Sequence, residues 1–260
     1  MVCIDNSQAV LHPFDPEYRS RNQIPIEYVP GTACINFTGE LLEPVLSSED
    51  IDLLQRYCGL ILIGGNRAPK ILMMIGEGGT GKGTITRLIA LVIGRANVVQ
   101  LRVDQLTSRF ETARVVGKLL LNVIEATANY LNREGAEVIK ALCGHDPMEA
   151  EKKYKADPIS FDGDFPIIVT SNEALNVRLA GDESAQARRL AIIDFPQKRP
   201  GFPANTQGLV KAELEIVNWR RGSAHRNLNT ALPRRNFPND HDGKDPRFGR
   251  LGSTLPVAPG

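Results

Sequence analysis

The chain's apolar positions change period several times, and each change predicts an element. From Ser47 the text "SSEDIDLLQRYCGLILIG" opens with a helix-start signal. Ile51, Leu53, Leu54, Tyr57 and Cys58 then recur at helical spacing. "KILMMIG", Lys70 to Gly76, is a short, wholly apolar run that suits a strand buried on both faces. "TITRLIALVIG" returns to a helical period, with Ile85, Leu88, Ile89 and Leu91 or Val92 facing inward. "DQLTSRFETARVVG" predicts a further helix, "KLLLNVIEA" (Lys118 to Ala126) a strand ending on an acid, and "GAEVIKALCG" another helix. "FPIIVTSN" and "RRLAIIDFP" supply two more apolar strands. Strands alternating with helices predict an α/β fold around a mainly parallel sheet.

Outside this block the pattern weakens. Residues 11–45 hold five prolines and no sustained period, which reads as an extended wrapping segment. "LVKAELEIVNW" predicts one last helix, and the Arg-, Pro-, Asn- and Gly-rich text after Trp219 is expected to be disordered. The expected organisation is a lead-in with one helix over 1–65, the main α/β domain over 66–197, and a partial helix with a basic tail over 198–260.

Charge sharpens that division. From Gln197 onward there are 11 Lys/Arg against 5 Asp/Glu, a net +6, so the preceding 196 residues of this +1 chain sum to −5. A globally basic nucleic-acid coat is excluded, and any such contact must be local. Hydrophobic residues make up 42%, enough for a sizeable core, yet no apolar run approaches the roughly 20 residues that cross a bilayer. No signal-peptide pattern opens the chain. Cys3, Cys34, Cys58 and Cys143 form no CxxC pair and read as reduced thiols of a cytoplasmic protein with no membrane partner.

The candidate chemistry starts where the first apolar strand breaks. "GEGGTGKGT" places Gly76, Gly78, Gly79, Thr80, Gly81, Lys82, Gly83 and Thr84 between a strand and a helix, the context a phosphate-binding loop requires. Glycines let backbone N–H groups turn inward on an anion, and the helix N-terminus adds its dipole. Lys82 would reach the outer phosphates. Gly83 stands where Ser or Thr usually supplies a Mg²⁺ ligand, and the hydroxyl follows one later at Thr84. Nucleotide kinases share this "GKGT" ending, so the loop alone implies a nucleoside triphosphate and leaves the reaction open.

Downstream residues narrow it. Glu125 ends an apolar strand where an acid would hold the Mg²⁺ sphere, indirectly and together with Thr84, and polarise an attacking water. Asn172 ends another strand and can hydrogen-bond a phosphate or that water. Arg188 and Arg189 precede the last strand, where a guanidinium can serve a neighbouring subunit's phosphates. "KKYK", Lys152, Lys153, Tyr154 and Lys155, interleaves an aromatic with three cations in an otherwise acidic core. That mixture suits phosphate contacts and base stacking, although a solvated charge run on a helix looks the same in sequence. His145, a lone histidine, reads as structural.

Taken in order, the glycine loop, the Glu-ended strand, "IKALCGHDPMEAEKKYKADPISF", "IIVTSN" and "RRLAIIDF" resemble the superfamily 3 helicase domain of phage and plasmid primase–helicases, over roughly residues 11–197. The resemblance implies an AAA+-like P-loop ATPase, binding ATP and Mg²⁺ and assembling as a ring, typically a hexamer, that engages single-stranded DNA at a replication fork. A separate primase becomes a candidate partner. The resemblance puts Lys82 and Thr84 on the Walker A positions, Glu125 on the Walker B acid, Asn172 on the sensor, Arg188 or Arg189 on the arginine finger, and 146–161 on a channel-facing β-hairpin. Two competing readings are a nucleotide-binding remnant or scaffold without turnover, fed by Gly83 and the lone Glu125, and a small-molecule nucleotide kinase.

Overall fold

The computed structural model describes residues 2–5, 8–11, 15–18, 22, 24, 35–102, 105–106, 108, 110–127, 129–130, 135–151, 157–173 and 189–196. At its centre is a five-stranded sheet built from β3 (Ile71–Ile75), β4 (Val98–Gln100), β5 (Leu120–Ala126), β8 (Ile167–Ser171) and β9 (Leu190–Asp194). The spatial order is β4-β5-β8-β3-β9, and every pairing is parallel. The strand carrying the glycine loop therefore has β8 on one side and β9 on the other. The acid-ended β5 lies one strand further out, beyond β8.

Period-two alternation divides the strand residues between two cores, as a sheet covered on both faces demands. Leu72, Met74, Leu120, Ile168, Ala191 and Ile193 face α1 (Ser48–Ile63) and α2 (Lys82–Ile93). Ile71, Met73, Leu121, Val123, Ile167, Val169 and Ile192 face the opposite way, in the core that holds α3 (Ala136–Cys143). The result is a mixed α/β arrangement of helix, sheet and helix layers.

The start of α1 follows the sequence signal. Ser47 is its N-cap and accepts the Asp50 N–H at 3.2 Å, satisfying one of the donors a helix start leaves open. On the buried face of the helix, Tyr57 is wholly enclosed and its hydroxyl reaches the first turn of the sheet. It lies 2.8 Å from the Ile167 carbonyl, 3.0 Å from the Lys70 carbonyl, and accepts the Ile167 N–H at 2.8 Å. One hydroxyl thus anchors α1 at the point where β3 and β8 begin.

Three sequence expectations need correction. Within the supposed wrapping segment 11–45, Asn36–Leu42 is a π-helical turn whose Phe37, Leu41 and Leu42 are fully buried against α1 and α2. Apolar burial sets this segment's conformation despite its lack of a clean period. "DQLTSRFETARVVG" is not a continuous helix: among its described residues the regular element is the 3-10 turn Thr112–Arg114. Glu111 is 4% exposed and bonds Arg102 at 2.7 Å and also Arg114. The Arg102 contact ties the stretch to the residues just after β4 and the Arg114 contact tightens its own turn, while Ser and Thr compete with helix geometry. Finally, β1 (Val2–Asp5) and β2 (Gln8–Leu11) form an antiparallel pair that the apolar pattern did not mark. The expected last helix and tail lie outside the described residues. Among the described residues no helix is long and apolar enough to cross a membrane.

Candidate functional site

The carboxyl ends of parallel strands are where α/β sheets bind ligands, and here three chain segments meet at that edge. The glycine loop leaves β3, and its first N–H, from Gly76, donates to the Ser171 carbonyl at the end of β8, 3.2 Å away. Ser171 Oγ lies 2.8 Å from the Ala126 carbonyl at the end of β5. On the other side Phe195 donates to the Ile75 carbonyl at 2.7 Å. The loop, the acid-ended strand and the Asn-ended strand are therefore joined by direct backbone and hydroxyl bonds.

Gly76 is demanded by close approach: a Cβ there would run into the carbonyl oxygen and Cβ of Phe195. Gly81 is demanded by backbone, since as the N-cap of α2 it has φ 97° and ψ −5°, a left-handed conformation that side chains resist. The space over the loop is open: a Cβ built on Gly78, Gly79, Gly81 or Gly83 meets nothing within 4 Å. An open glycine loop at the N-terminus of a 12-residue helix suits an anion such as phosphate.

Lys82 reaches into the loop. Its ammonium donates to the carbonyls of Gly76 (2.5 Å) and Glu77 (2.8 Å) and to Thr80 Oγ1 (3.1 Å), and the residue is 5% exposed. Burial lowers its pKa from the ordinary lysine value. Thr80 is itself anchored to the Glu77 carbonyl at 3.0 Å. Thr84 is half-buried in the first turn of α2, and Gly83 beside it is exposed. These residues suit a magnesium–triphosphate group: a cation for phosphate oxygens, a helix end, and a hydroxyl one turn in.

Glu125 has an unusual backbone. Between Val123↔Val169 and Ala126↔Ser171 the register shifts by one, so β5 carries a bulge, and Glu125 within it has φ 57°. Bulges re-aim side chains beside functional sites. The Glu125 N–H donates to Thr170 Oγ1 at 3.1 Å, and its side chain is exposed at the sheet edge. Asn172 is exposed just beyond β8. Ser171 Oγ accepts the Glu173 N–H at 3.2 Å, which turns the chain there. Lys82, Thr84, Glu125 and Asn172 are thus brought to one edge.

Arg189 is not. Arg188 lies outside the described residues. Arg189 precedes β9, and its carbonyl accepts the Ile71 N–H at 2.7 Å, at the amino end of β3. Six residues of extended chain at roughly 3.3 Å each put it about 20 Å from the glycine loop, well beyond one side chain's reach. Its neighbour is Gly144, where a built Cβ would lie 3.7 Å from Arg189 Nη2. His145 is at this edge too. It has φ 64°, its Nε2 is 3.0 Å from the Asn66 carbonyl, and its Nδ1 is 3.6 Å from Asp164 Oδ1. It ties the loop before β3 to the loop before β8, a structural part.

Between them α3 leads to the antiparallel pair β6 (Pro147–Ala150) and β7 (Ile159–Asp162). The hairpin that the resemblance implied over 146–161 is present in its strands. The "KKYK" stretch, Lys152, Lys153, Tyr154 and Lys155, falls between them by sequence and lies outside the described residues. Among the described residues no group of three or more His, Cys, Asp or Glu forms a metal cage.

Thr170 is the residue that sequence reasoning passed over. Its signal was present: a hydroxyl at a position of "IIVTSN" that shares a sheet face with buried Ile168, where alternation calls for an apolar side chain.

Comparison with other proteins adds to this geometry. The profile of a family of unknown function (DUF5906) matches residues 74–189, from the end of β3 to the start of β9. Among solved structures the chain is similar to the apo A form of the NrS-1 C-terminal region (305–718), with TM-score 0.54 and 18% identity, covering 77% of this chain and 46% of that one. A second A-form structure of that region gives TM-score 0.54 at 14% identity, covering 86% and 54%. A further apo structure of it gives 0.51 at 15%, covering 80% and 50%. The likeness is one of fold. The chain spans about half the length of these solved chains.

Proposed function

We propose that this chain is the P-loop, AAA+-like ATPase motor of a phage or plasmid replication protein. It would hydrolyse ATP at the subunit interfaces of a ring, typically hexameric, and engage single-stranded DNA in the channel. The observation that carries the reading is the junction at the sheet edge: Gly76 bonded to Ser171, and Ser171 bonded to Ala126 beside the bulged Glu125. It brings the glycine loop, Lys82, Glu125 and Asn172 to one edge, which supports reading them as a phosphate cradle, a cation, an acid and an amide.

In this reading the open glycine loop and the α2 N-terminus hold the triphosphate, and Lys82 turns from its loop carbonyls to the outer phosphates. Thr84 and Glu125 would be the residues that hold a magnesium ion, indirectly, to offset the phosphate charge. Glu125 orients the attacking water and accepts its proton, with Asn172 as a second hydrogen-bonding partner. ATP becomes ADP and inorganic phosphate. Arg188 or Arg189 completes the site of a neighbouring subunit, since Arg189 lies too far from its own chain's loop. The β6–β7 hairpin carries the three lysines and the tyrosine toward DNA.

The test is steady-state ATP hydrolysis with and without single-stranded DNA, alongside Lys82→Ala and Arg188→Ala. The expected result is a rate raised by DNA, lowered by each substitution, and partly recovered when the two variants are mixed. A second reading, a nucleotide-binding remnant, is favoured by Gly83 at the usual hydroxyl position. Nucleotide binding with no DNA-stimulated turnover would select it over the motor.

A further inference from the structure

A bulge in a parallel pair leaves one residue of the longer strand without a ladder partner. In β5 that strain falls on Glu125, held at φ 57°, a conformation residues with a Cβ avoid. Something must hold it there, and two consecutive side chains of β8 are in place to do so. Thr170, 4% exposed, offers Oγ1 to the Glu125 N–H at 3.1 Å. Ser171, 1% exposed, has its Oγ 2.8 Å from the Ala126 carbonyl. The hydroxyl at position 170 occupies a buried face whose neighbour Ile168 is apolar, so packing alone does not explain it.

We propose that Thr170 is a positioning residue for Glu125: its hydroxyl holds the bulge and so sets the direction in which the carboxylate leaves the sheet edge. The proposal rests on reading Glu125 as the site's acid. Its physical basis is register. If the bulge relaxed by one residue, every side chain beyond it would change face, and the carboxylate would leave the edge it shares with Lys82 and Asn172. Thr170 touches neither nucleotide nor water in this scheme and acts only through Glu125.

Thr170→Val keeps the β-branched shape and removes the acceptor; Thr170→Ser keeps the acceptor. In the ligand-free protein, amide hydrogen exchange at Glu125 should speed up in the valine variant and stay near the wild-type rate in the serine variant. In DNA-stimulated hydrolysis the valine variant should lose about ten- to a hundredfold in kcat, in line with the cost of misplacing a reacting group by about an ångström. Its KM and its affinity for a fluorescent ATP analogue should stay within about twofold, because the glycine loop is untouched, and serine should restore most of kcat. In a Glu125→Gln background the valine change should cost nothing further, the signature of a residue acting through its neighbour.

If the wild-type chain shows no DNA-stimulated hydrolysis, the ATPase reading itself fails; if hydrolysis is present but Glu125→Gln leaves it unchanged, Glu125 is not the site's acid and this proposal fails with that assignment. If Glu125→Gln lowers hydrolysis but Thr170→Val matches wild type in kcat or in exchange, the positioning role alone is overturned. A further loss in the Glu125→Gln background overturns it too, by placing the action of Thr170 elsewhere. Should valine prevent folding, Thr170→Ala removes the same acceptor and is judged by the same outcomes.

Discussion

Removing one oxygen at Tyr57 tests how the sheet is anchored. Tyr57→Phe keeps the buried ring on α1 and deletes the hydroxyl that stands among Lys70 and Ile167. Two losses follow. A donated bond to a carbonyl disappears, and the Ile167 N–H, on a fully buried residue, loses an acceptor 2.8 Å away. A lost bond is worth about 0.5–1.5 kcal/mol net, and a buried group left unsatisfied costs about 1–3 kcal/mol. The second term decides the outcome, so a destabilisation of about 1–3 kcal/mol is expected. For a domain of this size that is a fall in Tm of roughly 2–12 °C. Urea unfolding should show a lower midpoint with an unchanged m-value, since the surface exposed on unfolding is the same. The affinity for a nucleotide analogue, measured well below the transition, should not change, because Tyr57 acts at the amino edge and the glycine loop lies at the other. A midpoint equal to wild type would refute the reasoning, and would mean that water or the strand ladder satisfies Ile167 without help.

Other perturbations have equally definite signs. Burial pushes the Glu111 carboxyl up, but its bonds and charge pairing with Arg102 and Arg114 outweigh this and hold its pKa below the usual value. A depressed carboxylate contributes stability above its unfolded pKa of about 4.3 that is lost as pH falls through the folded value. Urea midpoints should therefore drop on acidification below about pH 4, and Glu111→Gln should flatten that drop; parallel pH curves would count against the pairing. Asn122, 4% exposed on β5, buries an Oδ1 with no hydrogen-bond partner among the described residues. Asn122→Leu should raise Tm, since an unsatisfied buried polar atom costs about 1–3 kcal/mol, and a lowered Tm would point to a partner such as water. Replacing Lys152, Lys153 and Lys155 with Gln should reduce the slope of log binding constant against log salt for single-stranded DNA by about 2, at roughly 0.7 per phosphate contact; an unchanged slope would remove these lysines from the DNA contact.

The legible parts of this fold were those in which one residue's environment follows from its neighbours in sequence. The strand Ile71–Ile75 is apolar throughout, and Ile167–Ser171 and Leu190–Asp194 are apolar over their first three and four residues, because both faces of the sheet are covered. The glycine loop was legible because a positive φ at Gly81 and the approach of Phe195 to Gly76 leave few other residues possible. What was not legible depends on partners far along the chain. Phe37, Leu41 and Leu42 sit in a proline-bearing stretch and acquire their π-helical turn from the surface beneath them. Glu111 sits in a stretch with helix-like spacing, yet its two arginines hold it in turns. The bulge at Glu125 is a property of a strand pair, invisible in either strand alone. Hence Glu125 could be picked out as an acid at a strand end, whereas its left-handed backbone and its dependence on Thr170 could not.

The sheet's register carries the remaining argument about assembly. Ile71 pairs with Leu190 and Ile75 with Asp194, so β3 and β9 run in step with no bulge between them. Arg189, the residue before β9, is thereby held level with the start of β3, at the edge opposite the glycine loop. Rotamer changes in Arg189 cannot bridge about 20 Å of extended chain. A guanidinium at this position can meet a bound triphosphate only if a second copy of the chain presents its carboxyl edge to this amino edge. Such a contact is heterologous, one face meeting a different face, and contacts of that kind close into rings or continue as filaments. A ring is the closed form of that contact, and it is the form the motor proposal requires.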